Sequence, residues 1–200
     1  WWWLSVPALA LYLSRIDEAR APRALTVTFV FGMSFWVPLI DWIPLAVGTT
    51  PPWFVLAFVQ TLFLMGWALF VRWTQLWAWA RGPVMHALFY ALTWAGVDAA
   101  RSRWPWSGFP WGSVALPQVD SSLGRLAPYG GTTLITAVVV FLAVLMRRAC
   151  AARDAAVVRE HWFSRPALAL IVAAAFVAPL AVTLPNQAEN GMLRVGVVQG

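Results

Sequence analysis

Four stretches of this chain run for seventeen residues or more without a charge: Ala24 to Ile40, Trp42 to Val71, Leu126 to Met146 and Pro166 to Ala188. A helix needs about 20 predominantly apolar residues to cross the hydrocarbon core of a bilayer. Runs of that length inside 200 residues leave little to build a polar surface. The chain is 61% hydrophobic and 11% charged, where soluble domains average about 45–50% apolar and about 25% charged residues. The fold class expected is an all-α polytopic membrane bundle.

Pattern and punctuation divide the bundle into six spans. Trp1 to Leu13 is the first, and a polar loop carrying Arg15, Asp17, Glu18, Arg20, Pro22 and Arg23 follows it. The second covers Ala24 to Ile40 and is broken by Asp41, Pro44 and Gly48. Pro51 and Pro52 open the third, which ends near Val71. Trp73 to Ala80 is apolar, short and bracketed by Arg72 and Arg81, the pattern of a segment lying in the interface. Pro83, a favoured first-turn residue, opens the fourth span, which runs to about Ala100. A long loop to Tyr129 precedes the fifth span, Gly130 to Met146; a basic connection from Arg147 to Arg165 precedes the sixth, Pro166 to Leu184. The terminal MLRVGVVQG alternates and is β-branched, so a short strand is expected from Met192. Trp1 opens inside an apolar helix with neither Met nor a basic leader. The chain therefore reads as a fragment that begins inside a hydrophobic helix, with no visible signal peptide.

Arginine, the chain's sole basic residue besides its two His, orients these spans. Loops 14–23, 72–82 and 147–165 hold ten Arg, and the loops on the other side hold four. The positive-inside rule assigns the ten-Arg side to the cytoplasm. The long loop and the terminal strand then face outward. Arg this scattered makes no nucleic-acid patch, so no nucleic acid is expected as a partner.

The long loop begins WPWSGFPWG, residues 104–112. Pro105 and Pro110 fix φ, Gly108 and Gly112 permit turns closed to other residues, and Trp favours the membrane–water interface. Composition alone favours an ordinary aromatic-belt loop. The functional alternative is a rigid shelf at the outer leaflet that shapes a lipid-facing cleft. Immediately before it, Asp98 and Arg101 stand three apart on one helix face near the end of the fourth span. An ionisable group at that depth is either functional or a structural pair snorkelling toward water. Asp41–Trp42 reads as a polar helix end. His86, His161 and Cys150 have no metal-ligand spacing, and Cys150 sits in a basic loop as a non-catalytic thiol. No metal or cofactor is expected. Gly108 and Gly112 fit the GxxxG spacing, but with Pro and Trp between them they do not read as a helix-packing motif. No phosphate-binding Gly loop and no Ser–His–Asp set occurs.

Several elements together carry a resemblance. Trp94, Asp98 and Arg101 are followed by SGFPWGSVALPQVD, then LAPYGG before a span, then a long apolar helix, then RVGVVQG. This order resembles the apolipoprotein N-acyltransferase family, most specifically at Gly108, Phe109, Pro110 and Trp111. VVQG, at 197–200, looks like the first strand of the family's nitrilase-like domain, and Asp41–Trp42 resembles its polar–Trp pair. The GFPWGSVA form and the all-Arg, Ala-rich composition look like the actinobacterial branch, some of whose members are fused to a polyprenol-phosphate mannosyltransferase. The family usually carries Glu where this chain has Asp98, one methylene shorter.

The resemblance implies a transmembrane helical domain over 1–188 and, over 189–200, the start of an extracytoplasmic α/β nitrilase-like sandwich. It implies a multi-pass protein of the cytoplasmic membrane, working in the lipid bilayer. The reaction implied is transfer of an acyl chain from a phospholipid donor to the N-terminal amine of a diacylglyceryl-cysteine lipoprotein acceptor. In the family this runs through a Cys thioester, with a Glu as general base and a Lys as stabiliser. Those catalytic residues are expected beyond Gly200; Cys150 is on the wrong side to be the nucleophile. Trp94, Asp98, Arg101, Gly108, Phe109, Pro110 and Trp111 are the expected lipid-cleft residues. A transporter would want more polar groups at mid-membrane than Gln60 and a few Ser and Thr. A plain anchor for another extracytoplasmic domain would need only one or two helices.

Overall fold

The computed structural model describes residues 2–74, 82–105, 107–151 and 165–183. Seven α-helices lie among them: α1 (Ser5–Glu18), α2 (Ala21–Leu39), α3 (Ile43–Val47), α4 (Pro51–Thr74), α5 (Pro83–Arg101), α6 (Ala127–Ala151) and α7 (Arg165–Val177). Short 3₁₀ turns occupy Trp2–Leu4, Leu116–Asp120, Ser122–Leu126 and Ala178–Ala181. No strand occurs among the described residues. The expected strand and the domain start at 189–200 lie outside them, as do most of the Trp73–Ala80 segment and residues 152–164 of the basic connection.

The helix starts follow the prolines. Extended Arg20 precedes Pro22 in α2, and Gly82 in the same backbone region precedes Pro83 in α5. Proline at a first turn removes only an N–H that has no helical acceptor. The stops follow proline and glycine. Pro38 sits one residue from the end of α2. Gly48 closes α3 in the left-handed region (φ 79°), donating its N–H to Pro44 O at 2.9 Å.

Several boundaries differ from the sequence reading; among them, α2 begins at Ala21 and takes in Pro22 and Arg23, which were expected in a loop. First, α1 runs on to Glu18, because Asp17 is drawn into a polar cluster at the bundle end instead of a loop. Second, α7 stops at Val177, short of Leu184. Pro179 lacks an N–H and its ring would crowd the carbonyl four residues back, so the chain tightens into a 3₁₀ turn. Third, Gly130 and Gly131 are non-helical within α6, so its continuous helix begins only after them, and it runs on to Ala151, past Met146.

Among the described residues two helical segments, Pro51–Thr74 and Ser122–Cys150, are long and apolar enough to cross a membrane by length and composition. The core threads through α1, α2, α4, α5 and α6. α6 packs most closely on α5 and α1, and α2 on α4, while α4 and α5 touch far less. At the centre, Trp67 meets Trp94 edge-on at 4.7 Å and Tyr90 at 5.5 Å, and Tyr12 stacks on Phe31 at 4.3 Å. The α2–α4 approach depends on Gly32, where a Cβ would collide with the Thr61 side chain.

The two ends of the bundle differ in their contacts. At one end Asp17 of α1 accepts Arg147 of α6 at 2.7 Å and the Tyr90 hydroxyl at 2.8 Å. Arg72 of α4 donates to Ile16 O at 2.6 Å, close to the end of α1. Residues of α1, the end of α4 and the later part of α6 therefore meet there; the greater part of the loops 72–82 and 147–165 lies outside the described residues. At the other end Trp42 approaches Trp111 (5.6 Å), and Gln118 Nε2 donates to Trp2 O (3.2 Å).

Candidate functional site

The WPWSGFPWG loop is built on the last turn of α5. Residues 102–105 turn off the helix, with the Arg103 and Trp104 N–H groups donating to Ala100 O. The Trp104–Pro105 peptide is cis. Ser107 (φ 74°) and Gly108 (φ 77°) then reverse the chain. A Cβ on Gly108 would run into the Ser102–Arg103 backbone, so this position needs glycine for space as well as for φ. The reversal brings Phe109 back beside Arg101, where the Phe109 N–H donates to Arg101 O at 2.9 Å.

Arg101 is only 3% exposed. Its Nη1 donates to Phe109 O at 2.9 Å and to Trp111 O at 2.8 Å. Nη1 has two hydrogens, so these bonds use both, and Gln60 Oε1 at 3.4 Å is a weaker electrostatic neighbour. Nη2 donates to Asp98 Oδ1. The guanidinium also lies over the Trp36 ring, 4.8 Å from its centroid, within the range where a cation is attracted to the ring face.

Asp98 is satisfied from its other oxygen. Ser113 Oγ donates to Oδ2 at 2.8 Å. The Ser113 hydroxyl is 3.0 Å from that of Thr136 on α6. Since the Ser113 proton goes to Asp98, Thr136 donates to Ser113, and the Asp98 carboxylate accepts from Ser113 on one side and from Arg101 on the other. A buried ion pair repays its desolvation only when its remaining hydrogen-bonding groups find partners, and here the loop backbone and two hydroxyls supply them. The pair does not snorkel to water; it is turned inward to hold the loop.

The expected cleft residues divide into two groups. Asp98, Arg101 and Phe109 are joined in one network, while Gly108, whose N–H donates to Pro105 O, makes the turn that returns Phe109 to it. Trp111 contributes its carbonyl, but its side chain is 51% exposed and faces Trp42. Pro110 is exposed. Trp94 lies in the core against Trp67. With Trp36, Asp98, Arg101 and Gly112 it borders an internal cavity of about 40 Å³. That is well below the about 300–1,000 Å³ of small-molecule sites. His86 stacks on Tyr90, which bonds Asp17 at the opposite end of the bundle. Cys150 is exposed, fourteen residues along α6 from Thr136 and so about 21 Å away.

Four partners were not foreseen from the sequence: Trp36, Gln60, Ser113 and Thr136. Gln60 and Thr136 did leave a signal, as polar residues in uncharged, mainly apolar runs, and both are buried (2% and 0% exposed). Asp98, Arg101, Ser113 and Thr136 are engaged with one another or with the loop backbone, whereas the buried Trp36 Nε1–H has no acceptor among the described residues. The arrangement positions a loop.

The family model described as the apolipoprotein N-acyltransferase N-terminal domain matches residues 1–145, which include the whole Arg101 network. An apolipoprotein N-acyltransferase of Pseudomonas syringae pv. tomato is 28% identical over 153 residues, covering 72% of this chain and 30% of that protein. One of Photobacterium profundum is 26% identical over 216 residues, covering 100% of this chain and 38% of its own length. One of Mycolicibacterium smegmatis is 39% identical over a shorter stretch of 66 residues, 32% of this chain and 11% of that protein. The chain thus spans about a third of the length of the first two relatives. With its family-model match covering most of its length, the chain belongs to the apolipoprotein N-acyltransferase family through that family's N-terminal domain.

Proposed function

We propose that this chain is the membrane domain of a lipoprotein N-acyltransferase, which moves an acyl chain from a phospholipid to the N-terminal amine of diacylglyceryl-cysteine on apolipoproteins. Residues 1–188 make six membrane crossings, and 189–200 begin an extracytoplasmic nitrilase-like domain. The catalytic Cys, Glu and Lys lie beyond Gly200, and the chemistry calls for no cofactor. The loop end of the bundle faces outward, and the end holding Asp17, Arg72 and Arg147 faces the cytoplasm, in line with the arginine bias.

A physical cost explains why such an enzyme carries a large membrane domain. Each buried CH₂ is worth about 0.8 kcal/mol, so drawing a sixteen-carbon chain into water would cost on the order of 12 kcal/mol. A catalyst seated on the bilayer avoids that step. In this reading Asp98 and Arg101 hold Gly108, Phe109, Pro110 and Trp111 as a stiff rim between the acyl tails and the ester chemistry above them, with Trp94 in the packing beneath. The observation that carries the reading is the Arg101 clamp on Phe109 and Trp111, within the region matched by the family.

The test is labelling of the full-length protein with a membrane-impermeant maleimide, read peptide by peptide. Trp111→Cys reacts in intact cells, and Cys150 reacts only after lysis. Labelling of Cys150 in intact cells would remove the proposed orientation.

A further inference from the structure

We propose that Arg125 is a positioning residue for the acyl-transfer reaction: it fastens the end of α7 to the loop that carries Phe109 and Trp111, and so sets where the catalytic domain starts above that rim. The inference rests on the acyl-transfer reading above. Arg125 Nη1 donates to Leu180 O at 3.0 Å and to Val182 O at 3.2 Å. Both hydrogens of that nitrogen are used. Carbonyls at the end of a helix have no helical partner, and a cation there also meets the negative end of the helix dipole. Arg101 acts in the same way near the start of the loop, where its Nη1 holds Phe109 O and Trp111 O. Side-chain burial does little for the end of α7. Ile171, Val172, Ala175 and Phe176 lie against the core but are only partly buried. In the 3₁₀ turn that follows, Pro179 is buried, while Ala178, Leu180 and Ala181 are exposed.

Arg125 reaches α7 from a firm base. It belongs to the 3₁₀ turn Ser122–Leu126, directly ahead of α6. Leu123 of that turn is fully buried, and its N–H donates to Ser121 Oγ at 3.1 Å. Gly124 lies so close to the preceding turn that a Cβ there would collide with Gln118 O. Gln118 is itself fully buried and donates from Nε2 to Trp2 O. Residue 189, where the nitrilase-like domain is read to begin, lies seven residues past Val182, and a chain of that length reaches no more than about 25 Å. Holding Val182 therefore limits where the catalytic domain sits. A misplacement of about 1 Å already slows an enzyme, so the fastening bears on turnover as well as on the fold.

The test compares four forms of the full-length protein in lipid vesicles: unaltered, Arg125→Gln, Arg103→Gln, and one with Gly-Ser-Gly-Ser inserted after Thr183. Arg103 is exposed and donates to Ala99 O of its own helix, so its variant controls for the loss of a charge at that end. Acyl transfer is measured from phosphatidylethanolamine to a diacylglyceryl-cysteine peptide, and amide hydrogen exchange is followed peptide by peptide. Arg125→Gln is expected to lower kcat about ten-fold with the donor KM within about two-fold. It is expected to speed exchange over residues 180–183 about ten-fold and to leave exchange in α6 unchanged. The insertion, which loosens the same exit with Arg125 in place, lowers kcat to a similar degree; Arg103→Gln changes neither readout. Unchanged kcat in Arg125→Gln or in the insertion, unchanged exchange over 180–183, or faster exchange spread through α6 overturns the proposal. An unaltered protein that transfers no acyl chain sinks the acyltransferase reading. Exchange over 180–183 then decides the fastening by itself: faster in Arg125→Gln supports it, and unchanged sinks it.

Discussion

Arg101 and Phe109 are bonded in both directions: the Phe109 N–H donates to Arg101 O at 2.9 Å, and Arg101 Nη1 donates to Phe109 O at 2.9 Å. Eight residues of turning chain are closed by one side chain and its own backbone. The arginine is the fastener, and Asp98 keeps its charge balanced out of water.

Removing one charge should therefore cost more than removing both. Arg101→Met leaves Asp98 buried without its counterion, and a loss of about 3–5 kcal/mol is expected. The double variant Asp98→Leu, Arg101→Met leaves no orphan charge and should lose less than either single variant's cost would suggest. Unfolding of the four proteins in one detergent gives the cycle. Strict additivity would show that the two groups are not coupled.

Gly112 and Gly48 both have positive φ, at 73° and 79°, yet only Gly112 is hemmed in, since a Cβ there would enter the Trp36 ring. Gly48→Ala should cost about 1 kcal/mol from backbone strain alone. Gly112→Ala should add the overpacking cost of about 1–3 kcal/mol. Equal unfolding midpoints for the two variants would mean that the Trp36 contact yields freely.

At the opposite end, Asp17 ties α1 to α5 and α6 through Tyr90 and Arg147. Asp17→Ala should lower stability by about 2–4 kcal/mol, since it strands a mostly buried guanidinium. Arg15→Ala, at an exposed position two residues away, should change it by no more than about 0.5 kcal/mol. Thermal unfolding distinguishes them, and similar losses would deny Asp17 its role as the joint of that end.

Pro110 and Trp111 expose their side chains. Trp111→Ala and Pro110→Ala should leave stability within about 0.5 kcal/mol while lowering acyl transfer by the full-length protein. Abundance and turnover measured on the same preparations check this. Parallel loss of both would mark the loop as merely structural.

What could be read in the sequence was whatever is encoded locally. Pro51 and Pro83 mark helix starts because a missing N–H is harmless there, whereas Pro22, read as part of a polar loop, sits in the first turn of α2; the spacing of Asp98 and Arg101 announces a pair. The loop's rigidity was legible in its Pro and Gly, but its fastening was not. Gln60 lies 41 residues from Arg101, and Thr136 lies 23 from Ser113. Contacts at such separations depend on which helices become neighbours, and hydrophobic period does not specify that. For the same reason the pair's snorkelling alternative could not be dismissed until Phe109 and Trp111 were seen to supply its acceptors.

The central claim is that Arg101 holds the loop for acyl transfer, beyond its contribution to stability. The neutral double variant Asp98→Leu, Arg101→Met tests this most directly, because it removes the clamp on Phe109 and Trp111 without stranding a charge. In the full-length protein, at equal folded amounts in lipid vesicles, transfer from phospholipid to a diacylglyceryl-cysteine peptide should fall by about ten-fold or more, the scale of effect when a positioning group is lost. Turnover equal to that of the unaltered protein would contradict the account.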